Sequence, residues 1–262
     1  MSEIGPVTAR RFKFVGCEII HREACFLAAT VPHLVDLEFL RKGLHDLQTT
    51  DMRSQIQVAV DAVDADQGYE AILLGYGRCN NGLLDVTARD LPLVIPRAHD
   101  CITFFFGSRD KYLEWFKAHP GTYYMTTGWA ERNSTSGDPL VKQTGVMAAL
   151  GLSDSFAEMV EKYGKDNADY ILETLGDWRD HYSNMLYLEM GVANEAELME
   201  RARRTAEERS WSFEVRKGSL ALLEKLFLGL WDDDFVVVQP GQCLSAQNDG
   251  EGVFEATIPR SS

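Results

Sequence analysis

Cys79, His99 and Cys101 are the residues of this 262-residue chain whose types and spacing could do chemistry together. Cys79 follows the apolar run YEAILLGYG in a glycine- and asparagine-rich stretch, RCNNGLL, and His99 and Cys101 follow a second apolar run, LPLVIP. Two thiolates and an imidazole make a good donor set for zinc, which takes sulfur and nitrogen ligands tetrahedrally at about 2.0–2.3 Å. The single residue between His99 and Cys101 lets two ligands leave one turn. A helix starting just after them would favour thiolate through the partial positive charge of its amino end. A fourth position would take solvent, substrate or another side chain such as His45, and zinc so held could bind a substrate thiolate or activate water. The set lacks the paired Cys-x-x-Cys of a structural zinc module. Thiol redox chemistry, or cysteines that only fill space in a core, therefore stand beside the metal reading.

The run GYGRCNNG fits neither the dinucleotide pattern GxGxxG nor a P-loop, which needs a terminal Lys-Ser/Thr. Its composition predicts a tight turn that brings main chain close to a ligand, so Gly75, Gly77, Asn81 and Gly82 are the candidate cofactor contacts. Main-chain donors there could also hold an anion. His45 and Arg97 are the candidate catalytic residues. His45 would serve as general base or fourth ligand, against the alternative of a surface histidine. Arg97, like Lys217, follows an apolar strand and could hold an anionic substrate, against the alternative of a carboxylate pair or solvent. Cys17, Glu18, His21, Glu23 and Cys25 form a second group, in which His21 and Cys25 share a helical face. It reads as a separate metal site or, more ordinarily, as core packing with a local histidine contact; Cys17 or Glu18 could approach the main site from an adjacent strand. Asp232, Asp233 and Asp234 read as a solvated turn, and Tyr123 and Tyr124 as packing residues.

The elements that must position these groups alternate. Strands are expected near residues 12–20, 35–40, 69–77 and 91–96, with helices over 21–30 and 51–63. Two helical pieces broken at Gly107 follow over 99–119, with Ser108 as a cap for the second. One strand and a polar, turn-rich loop are expected in 120–139, and one or two amphipathic helices in 152–183. The last third repeats the rhythm, with strands in 184–191, 211–218 and 232–241 and helices in 194–210 and 219–231, the second capped by Ser219. This is the grammar of an α/β protein with a mostly parallel sheet, Rossmann-like and three-layered, with two similar lobes as an option. The division that follows is an arm (1–12), an amino-terminal α/β lobe with the site (13–128), a helical and loop connection (129–184), a carboxy-terminal α/β portion (185–241) and a tail or edge hairpin (242–262). In open parallel sheets ligands gather at the carboxyl ends of the strands, where Cys79 and the His99–Cys101 turn are expected to meet.

Forty acidic against 26 basic residues give a formal charge of −14, a field that repels phosphate backbones and argues against a nucleic-acid partner. The basic cluster RARRTAEER is interrupted by glutamates and reads as a solvated helix face. No apolar run is long enough for a membrane span, and the start MSEIGPVTARR lacks a signal-peptide core, so a cytoplasmic protein with free thiols is expected. Homo-oligomerisation is expected only from its frequency among such proteins.

The stretches LLGYGRCNNGL, IPRAHDCITFFFGSR and HPGTYYMTTGW, with a weaker FVVVQPG, resemble an uncharacterised bacterial and archaeal family, domain-of-unknown-function family 1638, over roughly residues 14–241. The family's first loop often runs Gly-Tyr-Gly-x-Cys-Gly-Asn-Gly, and Asn80 here replaces the glycine after the cysteine. The resemblance implies an association with corrinoid-dependent methyl transfer and one-carbon metabolism. Zinc methyltransferases of such systems look like a chemical parallel, because some use a His-x-Cys pair with a distant Cys; His99 and Cys101 would match the pair and Cys79 the remote sulfur. The order differs, since Cys79 precedes the pair. What the resemblance implies is a zinc-dependent enzyme acting on a small molecule or methyl group, or a non-catalytic cofactor-binding accessory to a corrinoid protein.

Overall fold

The computed structural model describes residues 8–42, 44, 49–78, 81–135, 165, 182–246 and 253–259. Strand β1 (Arg11–Cys17) buries Phe12 and Phe14 completely and runs into the centre of the molecule, so its last four residues are all buried. A single 3-10 turn leads into helix α1 (His21–Thr30), which returns the chain to β2 (Leu34–Leu40) at the sheet edge. Helix α2 (Thr49–Asp61) buries Met52, Ile56, Ala59 and Val60, the stripe that its apolar spacing predicts. Strand β3 (Ala71–Gly75) has no exposed residue, as a continuous apolar run in a central parallel strand must. Strand β4 (Leu93–Pro96) follows, ending at its proline.

Helix α3 (Ile102–Phe106) stops at Gly107, whose φ of +68° is the left-handed value that ends helices. Helix α4 (Arg109–Ala118) then precedes β5 (Thr122–Thr126), helix α5 (Thr127–Thr135) and β6 (Asn184–Glu189). The described chain continues through α6 (Ala196–Glu208), β7 (Ser212–Lys217), α7 (Ala221–Leu228), β8 (Phe235–Val238), β9 (Cys243–Ala246) and β10 (Phe254–Thr257).

These strands make a five-stranded sheet in the order β2-β1-β3-β4-β8, a three-stranded parallel sheet β5-β6-β7 and the antiparallel pair β9-β10. In the larger sheet the first four strands are parallel and β8 runs antiparallel to β4. The protein is thus an α/β fold with mixed sheets, and one apolar core joins β1, β3, β4 and β8 to α7 and the β9-β10 pair. Cys243–Ala246 and Phe254–Thr257 make that antiparallel pair, and Leu244 and Phe254 within it are fully buried.

Several expectations are corrected. The first strand starts at Arg11, inside the expected arm, because Phe12 belongs to the core. Helix α5 occupies residues expected to form a turn-rich loop. The small residues at its start let it press against the 3-10 turn after β1, and the bidentate Arg22–Glu131 pair, with contacts of 2.8 and 2.9 Å from Nε, ties it to α1. Ser108 stands at the amino end of α4 with extended backbone but makes no side-chain capping bond, whereas Ser219 Oγ does accept from the Ala221 amide (3.3 Å). Strand β5 pairs with β6 and β8 returns to β4; partner choice is a long-range property that local periodicity does not carry. The helices expected over 152–183 lie almost wholly outside the described residues.

The joint between the five-stranded and three-stranded sheets is tight at one glycine. A Cβ on Gly128 would lie 1.7 Å from the Ile19 carbonyl oxygen, a main-chain atom that cannot rotate away. Gly128→Ala should therefore destabilise the protein by about 1–3 kcal/mol or more through overpacking, measured as a lower urea midpoint with an unchanged slope. An unchanged midpoint would show that α5 does not bear on Ile19.

Candidate functional site

From the end of β1 the chain turns to β2 on one side, and from the end of β3 it turns to β4 on the other. The gap between the carboxyl ends of β1 and β3 is therefore a topological switch point, the place where such sheets open a crevice. A cleft of about 370 Å³ lies there, its wall including Cys17 from the end of β1, Gly75, Tyr76 and Gly77 from the end of β3, and Asp100 and Cys101 after β4. Arg41 and Lys42, just past β2, complete that side; Thr122, Tyr123 and Tyr124 of β5, Trp129 of α5 and Tyr182 face them from the second sheet.

The loops after β3 and β4 are locked together. The Arg78 amide donates to the Ala98 carbonyl (2.8 Å), and a Cβ on Gly77 would sit 2.7–2.8 Å from the main chain of Asp100, so only glycine fits this approach. Asp100 is the peg of the second loop. Its Oδ1 accepts from the amides of Ile102 (2.9 Å) and Thr103 (3.3 Å), and its Oδ2 accepts from the Tyr112 hydroxyl (2.7 Å). Burial pushes the Asp100 carboxyl up, and these donors pull it part of the way back. The same burial, with Asp100 nearby, pushes the Tyr124 hydroxyl up to about 12, and that hydroxyl has no hydrogen-bond partner among the described residues.

Cys101 is half-buried on the cleft wall, with Gly75 and Gly77 beside it. His99 is exposed and is not among the lining residues. Cys79 and His45 lie outside the described residues. Asn81 is exposed, with a left-handed φ of 55°, and accepts from Arg78 Nε (2.8 Å); Gly82 is buried against Met52. Neither lines the cleft. Arg97 is directed to the hairpin instead, where Nη1 donates to the Phe254 carbonyl while its amide donates to Asp234 O (2.7 Å). Lys217 is exposed at the end of β7, and Asp232 and Asp234 are both held by Lys225 (2.7 and 2.8 Å).

Thiolate and imidazole suit zinc chemically. Among the described residues no three His, Cys, Asp or Glu side chains form a group that could hold a metal, and Cys101 and His99 are the two expected donors that are described. In the second cysteine group, Cys25 Sγ lies 3.8 Å from His21 Nε2, one helical turn away. Cys17 does reach the cleft. The residues that local reading missed are Arg41, Lys42, Asp100, Trp129 and Tyr182. Lys42 follows a strand just as Arg97 does, and Asp100 precedes a helix as a capping carboxylate would, so both left a signal.

The family described as "Protein of unknown function (DUF1638)" matches residues 39–227, well over half of the chain. The chain belongs to the DUF1638 family. No curated protein and no solved structure matches it. The DUF1638 match takes in every cleft residue named above except Cys17, which β1 supplies. Among the described residues no helix is long and apolar enough to cross a membrane.

A buried carboxyl lies outside the cleft. Glu23 of α1 is fully buried, and neither of its oxygens has a hydrogen-bond partner among the described residues. Burial, reinforced by Glu195 and Glu131, pushes this carboxyl up from 4.5 to about 7. The folded state holds the proton more tightly than the unfolded chain. The stability that Glu23 permits is therefore complete below pH 4.5, declines as pH rises and is lost above about 7. The full change is on the order of 3 kcal/mol. Glu23→Gln should remove this decline and raise stability at pH 8 by about 1–3 kcal/mol, read by urea unfolding at pH 5 and pH 8. A wild-type and variant difference that is the same at both pH values would refute the assignment.

Proposed function

We propose that the chain is an enzyme that holds a small-molecule substrate in the switch-point cleft and uses Cys101 as its reactive donor, in zinc-dependent methyl or thiol transfer linked to one-carbon metabolism. The observation that carries this reading is a thiol on the wall of the cleft, in a turn whose main chain is locked to the loop after β3. The four parallel strands with helices between them fit a Rossmann-like three-layer unit, with β5-β6-β7 as the core of a second lobe and the cleft between the two. Cys79, His99 and Cys101 would hold the metal. Zinc bound there would supply a Lewis acid that lowers the pKa of a thiol or water in its open position.

The chain's own residues do the rest. Asp100, satisfied by two amides and a tyrosine hydroxyl, fixes the turn that carries Cys101 and therefore acts as a positioning residue. Tyr76, Tyr123, Tyr124, Trp129 and Tyr182 displace water from the bound molecule and strengthen electrostatic contacts made to it. His45, as general base, and a homo-oligomeric, cytoplasmic state belong to the same proposal.

A second reading is a non-catalytic cofactor-binding accessory to a corrinoid protein. The four tyrosines and the tryptophan on the wall favour it, together with the exposure of His99.

Anaerobically purified protein should contain near-stoichiometric zinc. His99→Ala and Cys101→Ser should each lower zinc affinity by about 10-fold or more while circular dichroism stays unchanged. Fully folded protein that carries no metal and takes none up would overturn the zinc enzyme. Co-purification of such protein with a corrinoid protein, without turnover, would select the accessory reading.

A further inference from the structure

We propose that the outer edge of β7 is the surface on which a second copy of this chain docks, strand against strand and antiparallel. This rests on the homo-oligomeric state given above and makes it a dimer whose two-fold axis passes at Val215. Strand β7 ends the β5-β6-β7 sheet, and among the described residues no strand lies beyond it. Its neighbour β6 has four buried residues in its middle, whereas every residue of β7 but Phe213 is exposed. Side chains alternate between faces along a strand, so β7 is open on both faces as well as along its edge. Such an edge presents unpaired amides and carbonyls that another strand can satisfy. Val215, 40% exposed, is a β-branched residue of the kind that strand pairing covers.

Charge selects both the partner and the register. Two-fold antiparallel pairing sets each residue opposite its mirror position about one central residue, on the same face of the sheet. Centred on Val215, it places Glu214 opposite Arg216 of the second copy and Arg216 opposite that copy's Glu214, two opposite-charge pairs at once. Moving the centre one residue either way sets Glu214 against Glu214 or Arg216 against Arg216. Among the described residues Glu214 enters no salt bridge, so its carboxylate is open to a partner. Arg216 is steadied by rings, its guanidinium carbon lying 4.6 Å from the centroid of Trp115 and 5.7 Å from that of Phe106, and it is still exposed. An aromatic face holds the cation in place and leaves its charge to a carboxylate.

The other outer strands are built differently. In β2 every central register of a self-pair opposes carboxylates: Asp36 with Asp36, Asp36 with Glu38, or Glu38 with Glu38. Both are already held within the protein, by Arg11 (2.7 Å) and Lys13 (2.9 Å). Strand β5, at the far side of the small sheet, has no exposed residue and lines the cleft. A formal charge of −14 sets two copies against each other, so they are best joined where the local charge is of mixed sign, and β7 carries one acid and two bases. The union is one sheet of six strands, three from each copy, with a cleft at either outer end. A pairing of about five residues a side buries less than a standard interface, which makes the dimer a weak one, with a dissociation constant on the order of 1–100 µM.

The test is sedimentation equilibrium of the full chain from about 1 to 300 µM, a range that brackets a weak dimer. Wild type should be dimeric at the upper end and dissociate towards the lower. Glu214→Arg and Arg216→Glu each turn both cross-strand pairs into like charges and should each weaken the dimer about 10-fold or more. The double variant Glu214→Arg/Arg216→Glu restores opposite charges in exchanged order and should return the dissociation constant to within about 3-fold of wild type. Both positions are exposed, and circular dichroism should be unchanged; because Arg216 also rests on Trp115, Glu214→Arg is the variant that alters the edge alone. A chain that stays monomeric across the range would overturn this interface and the homo-oligomer together. A dimer that neither single variant weakens, or a loss that the double variant does not recover, would overturn the β7 interface and leave the homo-oligomer standing. Zinc content should be the same in all four proteins, so the zinc enzyme stands or falls separately.

Discussion

Two main chains touching without a side chain between them hold this site together. Gly77 brings the loop after β3 directly onto the backbone of Asp100 after β4, and the Arg78–Ala98 hydrogen bond fastens the contact. With that approach fixed, the turn carrying Cys101 can occupy only one position relative to the end of β3. Asp100 then locks the turn from the other side, by capping α3 and engaging Tyr112 of α4. The cleft wall is therefore a piece of rigid scaffold, in which three consecutive elements share a single carboxylate.

Much of the fold was legible because burial writes itself into periodicity. Strand β3 is an uninterrupted apolar run because both its faces are covered, and α2 shows its inner stripe because only one face is. The idea that the β3 and β4 loops share a rim also follows from two neighbouring apolar runs, and the pairing of these strands agrees with it. What local pattern could not carry was which distant segment completes the site. Trp129 and Tyr182 are ordinary aromatics until the second sheet is set against the first, and the burial of Lys42 beside the Trp129 ring is equally a product of the assembled fold. Arg97 follows a strand end as a ligand-binding arginine would, and its contact with the Phe254 carbonyl, 157 positions away, is a long-range one that local pattern does not carry.

Charge is distributed with a consistent logic. Among the described residues most carboxylates lie on solvated faces, where ion pairs such as Arg89–Asp61 and Arg10–Glu70 join exposed or half-exposed groups and contribute little each. The costly groups are inside: Glu23 in a dry environment at the α1 side of the joint, and Lys42 against an indole. Buried charges of this kind weaken a fold unless something compensates for them. For Glu23 the compensation is a retained proton, and for Lys42 the contact with Trp129 contributes to it.

Strand β8 has a consequence for how the protein is made. It closes the larger sheet by running antiparallel along β4, yet it lies about 140 positions further along the chain. During vectorial synthesis β1 to β4 therefore leave the ribosome with the outer edge of β4 unpaired, a row of amides and carbonyls open to other chains. A polypeptide terminated before residue 235 would keep that edge for good. Strand β8 is in this sense an internal chaperone for the first hundred residues, covering a sticky border that the amino-terminal strands cannot cover themselves.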